Sequence, residues 1–351
     1  LDKIQKHHQP LGDMKTITSF LAIVAIAASG NLAAQTAAYT SPSGYVDLGA
    51  VAARSEITFS LPLLTAPEAN ATVSSASSSV ITLEGTPLVA GAFDAPASGA
   101  PYMVEISTGV SAGLFLVVSS NTSSSISVLL GGGETLNDLV LGDKLTLRKA
   151  WTLETLFPSA NLPNGVRVSV FDIGAGINKS ATKLYIDTSS GWVDGANFSS
   201  ASNAVLYPGE SFVFINNTDT AIPSLMIAGQ VPTSRSRMRI GKDVAGAPQD
   251  TRIAYVGSGD ETLNLAGFNP YNGDRLLAFD QTSTGINKSA SKVLIFSSSA
   301  GDWLDGANFA AVGNTFTLKP GQGYIYRRSA NAPTGDQIIT DEQSYIQGLN
   351  N

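Results

Sequence analysis

The chain contains no cysteine. Disulfide staples, thiol nucleophiles and cysteine-ligated zinc are therefore excluded. Histidine is nearly as scarce. The two present are His7 and His8, and both precede the first methionine, Met14. With translation from Met14 the working protein has neither residue type, which removes Ser-His-Asp and Cys-His catalysis and histidine-ligated metal. Carboxylate chemistry is untouched by these absences. Charge is also low, at 14% of residues, where soluble proteins carry roughly 25%. Such a surface is built from Ser, Thr, Asn and Gly. The net charge of −7 offers no basic footprint for phosphates, so nucleic acid is not an expected partner. No metal and no cofactor is expected, with oxygen-ligated calcium as the alternative.

Long hydrophobic runs are missing too, apart from Phe20–Ala28. A membrane-spanning helix needs about 20 apolar residues, so this run is too short. It follows Met14-Lys15 and leads into Ala33-Ala34-Gln35. A charged start, an apolar stretch and a small-residue exit mark a secretory signal peptide. Residues 1–13 are expected to be upstream read-through, and residues 14–35 the signal peptide, cleaved between 34 and 37. Export to the periplasm, cell surface or extracellular space follows. No second stretch of this kind occurs, so no transmembrane anchor is expected.

What the chain does have is strand after strand. Glu56–Leu61, Val80–Leu83, Tyr102–Ile106, Leu114–Val118, Ser125–Leu129 and Lys144–Arg148 are short, β-branched or aromatic, and bounded by turn residues. Helical periodicity is confined to Thr152–Phe157 and the stretch near Glu134–Asp138. The fold is expected to be all-β. A small N-terminal β domain over 40–150 is followed by a duplicated sandwich or barrel-like unit sharing one core.

The duplication is carried by four blocks in the same order. Arg167–Asp172, Gly176–Lys183, Gly191–Phe198 and Pro208–Phe214 recur as Arg275–Asp280, Gly285–Lys292, Asp302–Phe309 and Pro320–Tyr326. The spacing between copies grows from 108 at Phe171/Phe279 to 112 at Pro208/Pro320, as small turn insertions produce. The copies are bounded as 151–241 and 252–345, with Gly241–Asp250 as linker. Alternation predicts Phe171, Leu184, Ile186, Phe212 and Phe214 inside one copy, and Phe279, Val293, Ile295, Tyr324 and Tyr326 inside the other.

A Gly-Asp step into a strand, then Trp151–Pro158, a Gly-Trp block and Pro-Gly-x-x-Phe-x-Phe resemble an uncharacterised family of secreted bacterial proteins. That family occurs as multiple paralogues in Verrucomicrobia-type bacteria. The resemblance covers most of the chain after the leader. It implies export and β structure, and supplies no catalytic residues.

Trp192, Asp194 and Asn197 in one copy match Trp303, Asp305 and Asn308 in the other. An exposed Trp beside such oxygens is a sugar platform, and Asp-Gly-x-Asn also offers oxygens to calcium. The competing reading, which is favoured, is a core Trp followed by an Asp-Gly turn. Arg235, Arg237 and Arg239 alternate on one strand face, either gripping an acidic polymer or guarding a sheet edge with charge. Asp187-Thr-Ser resembles half of an aspartic-protease dyad, but Phe296 stands where the partner belongs. Asp172 and Asp280 form a fallback pair, read as turn caps. The Ser-x-x-Lys matches at Ser180 and Ser289 lack their partner motifs and feed strands instead. The expected function is a non-enzymatic structural or adhesive protein of the cell surface or extracellular matrix, contacting polysaccharide or copies of itself. The alternatives are a carbohydrate-binding module using Trp192 and Trp303, and a carboxylate-based hydrolase.

Overall fold

A computed structural model describes residues 42–131, 134–257 and 259–341. The leader expected over residues 1–35 lies outside the described residues. The described chain is almost entirely β, as its composition and turn chemistry predict.

It opens with β1 (Ser43–Val51) and β2 (Ser55–Phe59). Then come β3 (Pro67–Ser77), β4 (Val80–Leu83), β5 (Tyr102–Ile106), β6 (Phe115–Asn121), β7 (Ser125–Leu129) and β8 (Lys144–Lys149). These six close into a barrel in the order β3-β4-β7-β6-β5-β8. Closure leaves no free sheet edge and encloses a core of its own around Val73, Ile81, Val104, Val118, Ile126 and Leu147.

A single helical turn follows, α1 (Leu153–Leu156), capped reciprocally by Thr152 and Thr155. The stretch near Glu134–Asp138 is a turn instead of a helix. The first copy continues with β9 (Arg167–Val170), β10 (Lys183–Thr188), β11 (Gly191–Asp194), β12 (Phe212–Asn216) and β13 (Ile222–Gln230). The second holds β14 (Ser236–Ile240), β15 (Gln249–Ala254), β16 (Glu261–Thr262), β17 (Arg275–Ala278), β18 (Lys292–Ser297), β19 (Asp302–Asp305), β20 (Thr317–Leu318), β21 (Gly323–Arg328) and β22 (Gln337–Asp341).

Two five-stranded antiparallel sheets result, β11-β10-β9-β12-β2 and β19-β18-β17-β21-β15. Their strand orders match. Each is accompanied by a two-stranded ribbon, β1-β13 and β14-β22. This redraws the expected boundaries. Strands β1 and β2 do not belong with the barrel: β2 pairs with β12 from Phe59↔Phe212 to Ser55↔Asn216. The first sheet therefore starts near Ser43 and is interrupted by the barrel. Chain leaves and returns side by side, where Thr65 Oγ1 donates to Lys149 O (2.6 Å) and Trp151 Nε1 to Leu63 O (2.8 Å). The expected linker Gly241–Asp250 likewise ends inside β15, and β14 ahead of it pairs with β22.

The sharing of a core also takes a different form. Each sheet has its own buried cluster, one around Phe59, Phe157, Trp192, Phe212 and Phe214, the other around Leu294, Trp303, Tyr324 and Tyr326. The copies meet along the outer edges of β2 and β15, and the contacts are reciprocal. Glu56 N donates to Gly285 O (3.1 Å), and Asp250 N to Gly176 O (2.9 Å). Ser60 N donates to Gly321 O (2.9 Å), and Ala254 N to Gly209 O (3.2 Å). Each copy thus satisfies the open edge of the other with its Gly-Ile-Asn-Lys loop and its Pro-Gly turn. At the centre, Gly323 lies so close to the Ser211 side chain that no Cβ fits.

Four of the ten residues expected inside are buried and six are half-buried. Phe212, Phe214, Tyr324 and Tyr326 are buried. On β10 and β18 the phase is opposite: Tyr185, Asp187 and Leu294 point in, while Leu184, Ile186, Val293 and Ile295 are half-buried. Phe171 and Phe279, just past β9 and β17, are half-buried as well.

Candidate functional site

Trp192 and Trp303 sit on β11 and β19 and are only 1% exposed. Trp192 donates its indole N–H to Phe157 O at 2.8 Å. Trp303 is packed edge-on against Phe296 (5.6 Å), Tyr326 (6.1 Å) and Phe268 (6.3 Å). Both rings are core, so neither is available as a sugar platform.

The Asp-Gly-Ala-Asn segments that follow are tight reversals built the same way in both copies. Asp194 Oδ1 accepts from Ala196 N (2.8 Å), and Asp305 Oδ1 from Ala307 N (2.9 Å). Asn197 Oδ1 accepts from Ser199 N (2.9 Å), and Asn308 Oδ1 from Ala310 N (3.0 Å). Asp305 also pairs with Lys292 (2.9 Å). These oxygens are turn caps, occupied by backbone amides where a cation would need them. Among the described residues no group of three His, Cys, Asp or Glu is placed to hold a metal ion. The turn begins by extending the ladders one pair further: Gly195 N donates to Leu184 O (2.7 Å), and Gly306 N to Val293 O (2.8 Å), and the returning chain then bridges the outer edge of β11 at Val193↔Ser200 and of β19 at Leu304↔Ala311. A Cβ at either glycine would press into the carbonyl it donates to.

Each turn ends on a phenylalanine that the sequence reading passed over. Phe198 N donates to Asp194 O and Phe309 N to Asp305 O, both at 2.7 Å. The closure places Phe198 at φ 58° and Phe309 at φ 57°. That left-handed backbone suits Gly or Asn and costs a residue with a Cβ about 1–2 kcal/mol. Yet the rings are 70% and 67% exposed. Both copies therefore hold a large apolar ring in solvent at a strained position. The sequence signal was the Phe closing each block, eclipsed there by the larger Trp.

The Gly-Ile-Asn-Lys blocks are used inside the molecule. Asn178 N donates to Asp250 Oδ2 (2.8 Å), and Lys288 N to Glu56 Oε1 (3.0 Å), so each loop clasps an acidic residue of the other copy. Lys179 Nζ closes its own loop on Asp172 O (3.0 Å) and Gly174 O (2.8 Å). Lys288 Nζ does the same on Asp280 O (2.7 Å) and Ser283 O (3.1 Å). Asp250 is further held by Arg327 (2.7 Å).

The three arginines are not a free basic face. Arg237 pairs with Glu134 of the β7–β8 connection (3.2 Å), and Arg239 with Asp336. Arg235 precedes β14, and Gly113 of the barrel packs against its carbonyl. The barrel therefore covers this edge, which is a closer fit than charge alone provides.

Among the carboxylates, Asp187 is 1% exposed. It accepts from Ser159 Oγ, and its other oxygen has no partner. Burial pushes its carboxyl above the ordinary value, with the Ser159 bond opposing. Asp280 caps its own turn through Thr282 N (2.8 Å) and Thr282 Oγ1 (2.7 Å), and these bonds hold its carboxyl below the usual range. Glu210 is exposed at the surface, with neighbouring segments partly desolvating its carboxyl. That desolvation, then the negative charge of Asp172, pushes its carboxyl up to about 7, with Lys183 opposing. Its counterpart in the second copy is Gln322, so this pair of carboxylates is found on one side only. No protein-family model, no curated protein and no solved structure matches the chain.

Proposed function

We propose that the protein is exported and acts by surface contact, in a structural or adhesive role at the cell surface or in the extracellular matrix. The observation that carries this reading is the pair of exposed, strained rings at Phe198 and Phe309. Strain retained at an exposed apolar side chain, in two places, is a cost to folding that needs a use elsewhere. Further support comes from the leader and from the low charge of the chain. Trp192 and Trp303, the rings a tryptophan-based sugar site would have used, are committed to packing, and the oxygens of Asp194, Asn197, Asp305 and Asn308 to turn closure. The test is fractionation of cells making the full chain, followed by rebinding of the purified protein to washed cell envelopes. The expected result is an N-terminus between residues 34 and 37 and sedimentation with the envelopes. A cytoplasmic product that stays in the supernatant would overturn the proposal.

A carboxylate-based hydrolase is the second reading, favoured by the raised carboxyl of Glu210, which desolvation and then the negative charge of Asp172 push up. A carboxyl near pKa 7 is poised as a general acid. Hydrolysis of a glycan or peptide panel, abolished by Glu210→Gln, is its expected signature.

A further inference from the structure

We infer that Phe198 and Phe309, each with the side-chain amide of the asparagine before it, are two equivalent stacking sites for the pyranose rings of a neutral polysaccharide. This rests on the surface-contact reading above and names its partner.

Three observations lead there. The first is the chemistry of the tip. An exposed phenyl ring offers the flat apolar face on which the C–H side of a sugar stacks. Beside it in sequence, Asn197 and Asn308 are fixed by accepting a backbone N–H through Oδ1. Among the described residues their amino groups have no hydrogen-bond acceptor, and both residues are exposed. A held donor next to an apolar platform is the usual make-up of a site for a polyhydroxylated ring.

The second is charge. The exposed part of each tip reads Ala-Asn-Phe-Ser-Ser or Ala-Asn-Phe-Ala-Ala and carries no formal charge. The nearby carboxylates, Asp194 and Asp305, are turned onto the backbone amides of Ala196 and Ala307. Neither an acidic nor a basic ligand is selected by such a surface.

The third is footprint and placement. One aromatic ring covers about 150–250 Å², against roughly 1,200 Å² or more for a stable protein interface. A tip this small does not hold a folded partner, and a second copy of the chain is therefore a poor occupant. Strands β11 and β19 are the outermost strands of their sheets, away from the β2 and β15 edges where the copies meet. The two tips are thus separate sites. A polymer long enough to reach both tips engages both, and weak sites then reinforce each other through effective concentration.

The experiment uses the full chain after leader removal, with insoluble cellulose, chitin and mannan as probes, and washed cell envelopes with and without periodate oxidation. Wild type is expected to be retained on at least one glycan. Phe198→Gly or Phe309→Gly alone is expected to weaken retention about tenfold or more, and the double variant to fall to background. Glycine accepts the left-handed backbone, so these variants should melt no lower than wild type, which separates lost binding from lost folding. Binding to envelopes is expected to vanish after periodate. Passage of wild type through all three glycans, or equal retention of the double variant, would overturn the inference. If the double variant still binds envelopes as wild type does, the sugar site fails while the surface-contact reading stands. If wild type binds neither glycan nor envelope, both fail.

Discussion

Identical residues in the two copies meet different neighbours. Trp192 and Trp303 fill equivalent places, but the position across from them is Asp187 in one copy and Phe296 in the other. Phe296 adds an aromatic contact to Trp303, whereas Asp187 brings a buried carboxyl with one unpartnered oxygen. Trp192→Ala and Trp303→Ala are each expected to cost about 3–5 kcal/mol, read by urea denaturation, because each leaves a ring-sized cavity. Asp187 predicts a pH dependence. Its folded carboxyl lies above the ordinary 3.8, so the folded state holds the proton more tightly than the unfolded one. Stability falls as pH rises from the ordinary value through the folded one, and the loss is complete above it. Asp187→Asn removes this contribution. The stability difference between the variant and wild type should therefore grow in favour of Asn from about pH 4 upward and then level off. A difference that shrinks with rising pH would contradict the assignment.

Edges and turns decide how the strands are used. A β-strand with an open row of N–H and C=O groups invites pairing with another chain. Here β2 and β15 are edges of their sheets, and each is closed by loops from the opposite copy. The Gly-Ile-Asn-Lys block is long and nearly identical in both copies for this reason: it must form its own lysine-closed loop and also fit a foreign strand edge. The meeting point is crowded at Ser211 and Gly323, where Ser211 Oγ is buried without a partner. Gly323→Ala is expected to destabilise by about 1–3 kcal/mol through overpacking. Ser211→Gly should relieve part of that loss, so a double-mutant cycle should show coupling of at least about 0.5 kcal/mol. Additive effects would place the two residues further apart than the structure does.

The barrel is an insertion into one of two matching sheets. In the second copy the chain passes from β15 to β16 through residues 255–260, whereas in the first it makes the detour through the whole barrel between β2 and α1. Both ends of the detour are neighbours, and the barrel has a separate core. Replacing residues 67–149 by a linker of about six residues should therefore leave a folded two-sheet protein, since short closed loops cost little entropy. Its circular dichroism and a cooperative melt check this. The melting temperature is expected to drop, because Arg237 loses Glu134 and the buried Ser234 loses Glu105 (2.7 Å). Complete unfolding would show that the barrel is structurally required by the sheets.

Local chemistry alone determined the class of this protein and much of its detail. β-branched runs between Gly, Asn, Ser and Pro turns specify strands whatever lies around them, and β4, β5 and β7 have the bounds their sequences suggest. The Asp-Gly-Ala-Asn turns and the Thr152 cap are equally local, as side chains bond to amides within a few residues. Only the tertiary structure decided which strands pair. Nothing in Ser55–Phe59 distinguishes a partner at 212–216 from one nearby, because a strand edge presents the same backbone groups to any neighbour. It also decided which face of β10 and β18 is inside. Those strands carry apolar side chains on both faces, so alternation alone does not set which face is inside. Packing against distant segments took Trp192 to Phe157 and Trp303 to Phe268 and Tyr326, and left the smaller rings, Phe198 and Phe309, in solvent. Exposure depends on where a turn points once its sheet is packed, and that is set by contacts between segments far apart in the chain.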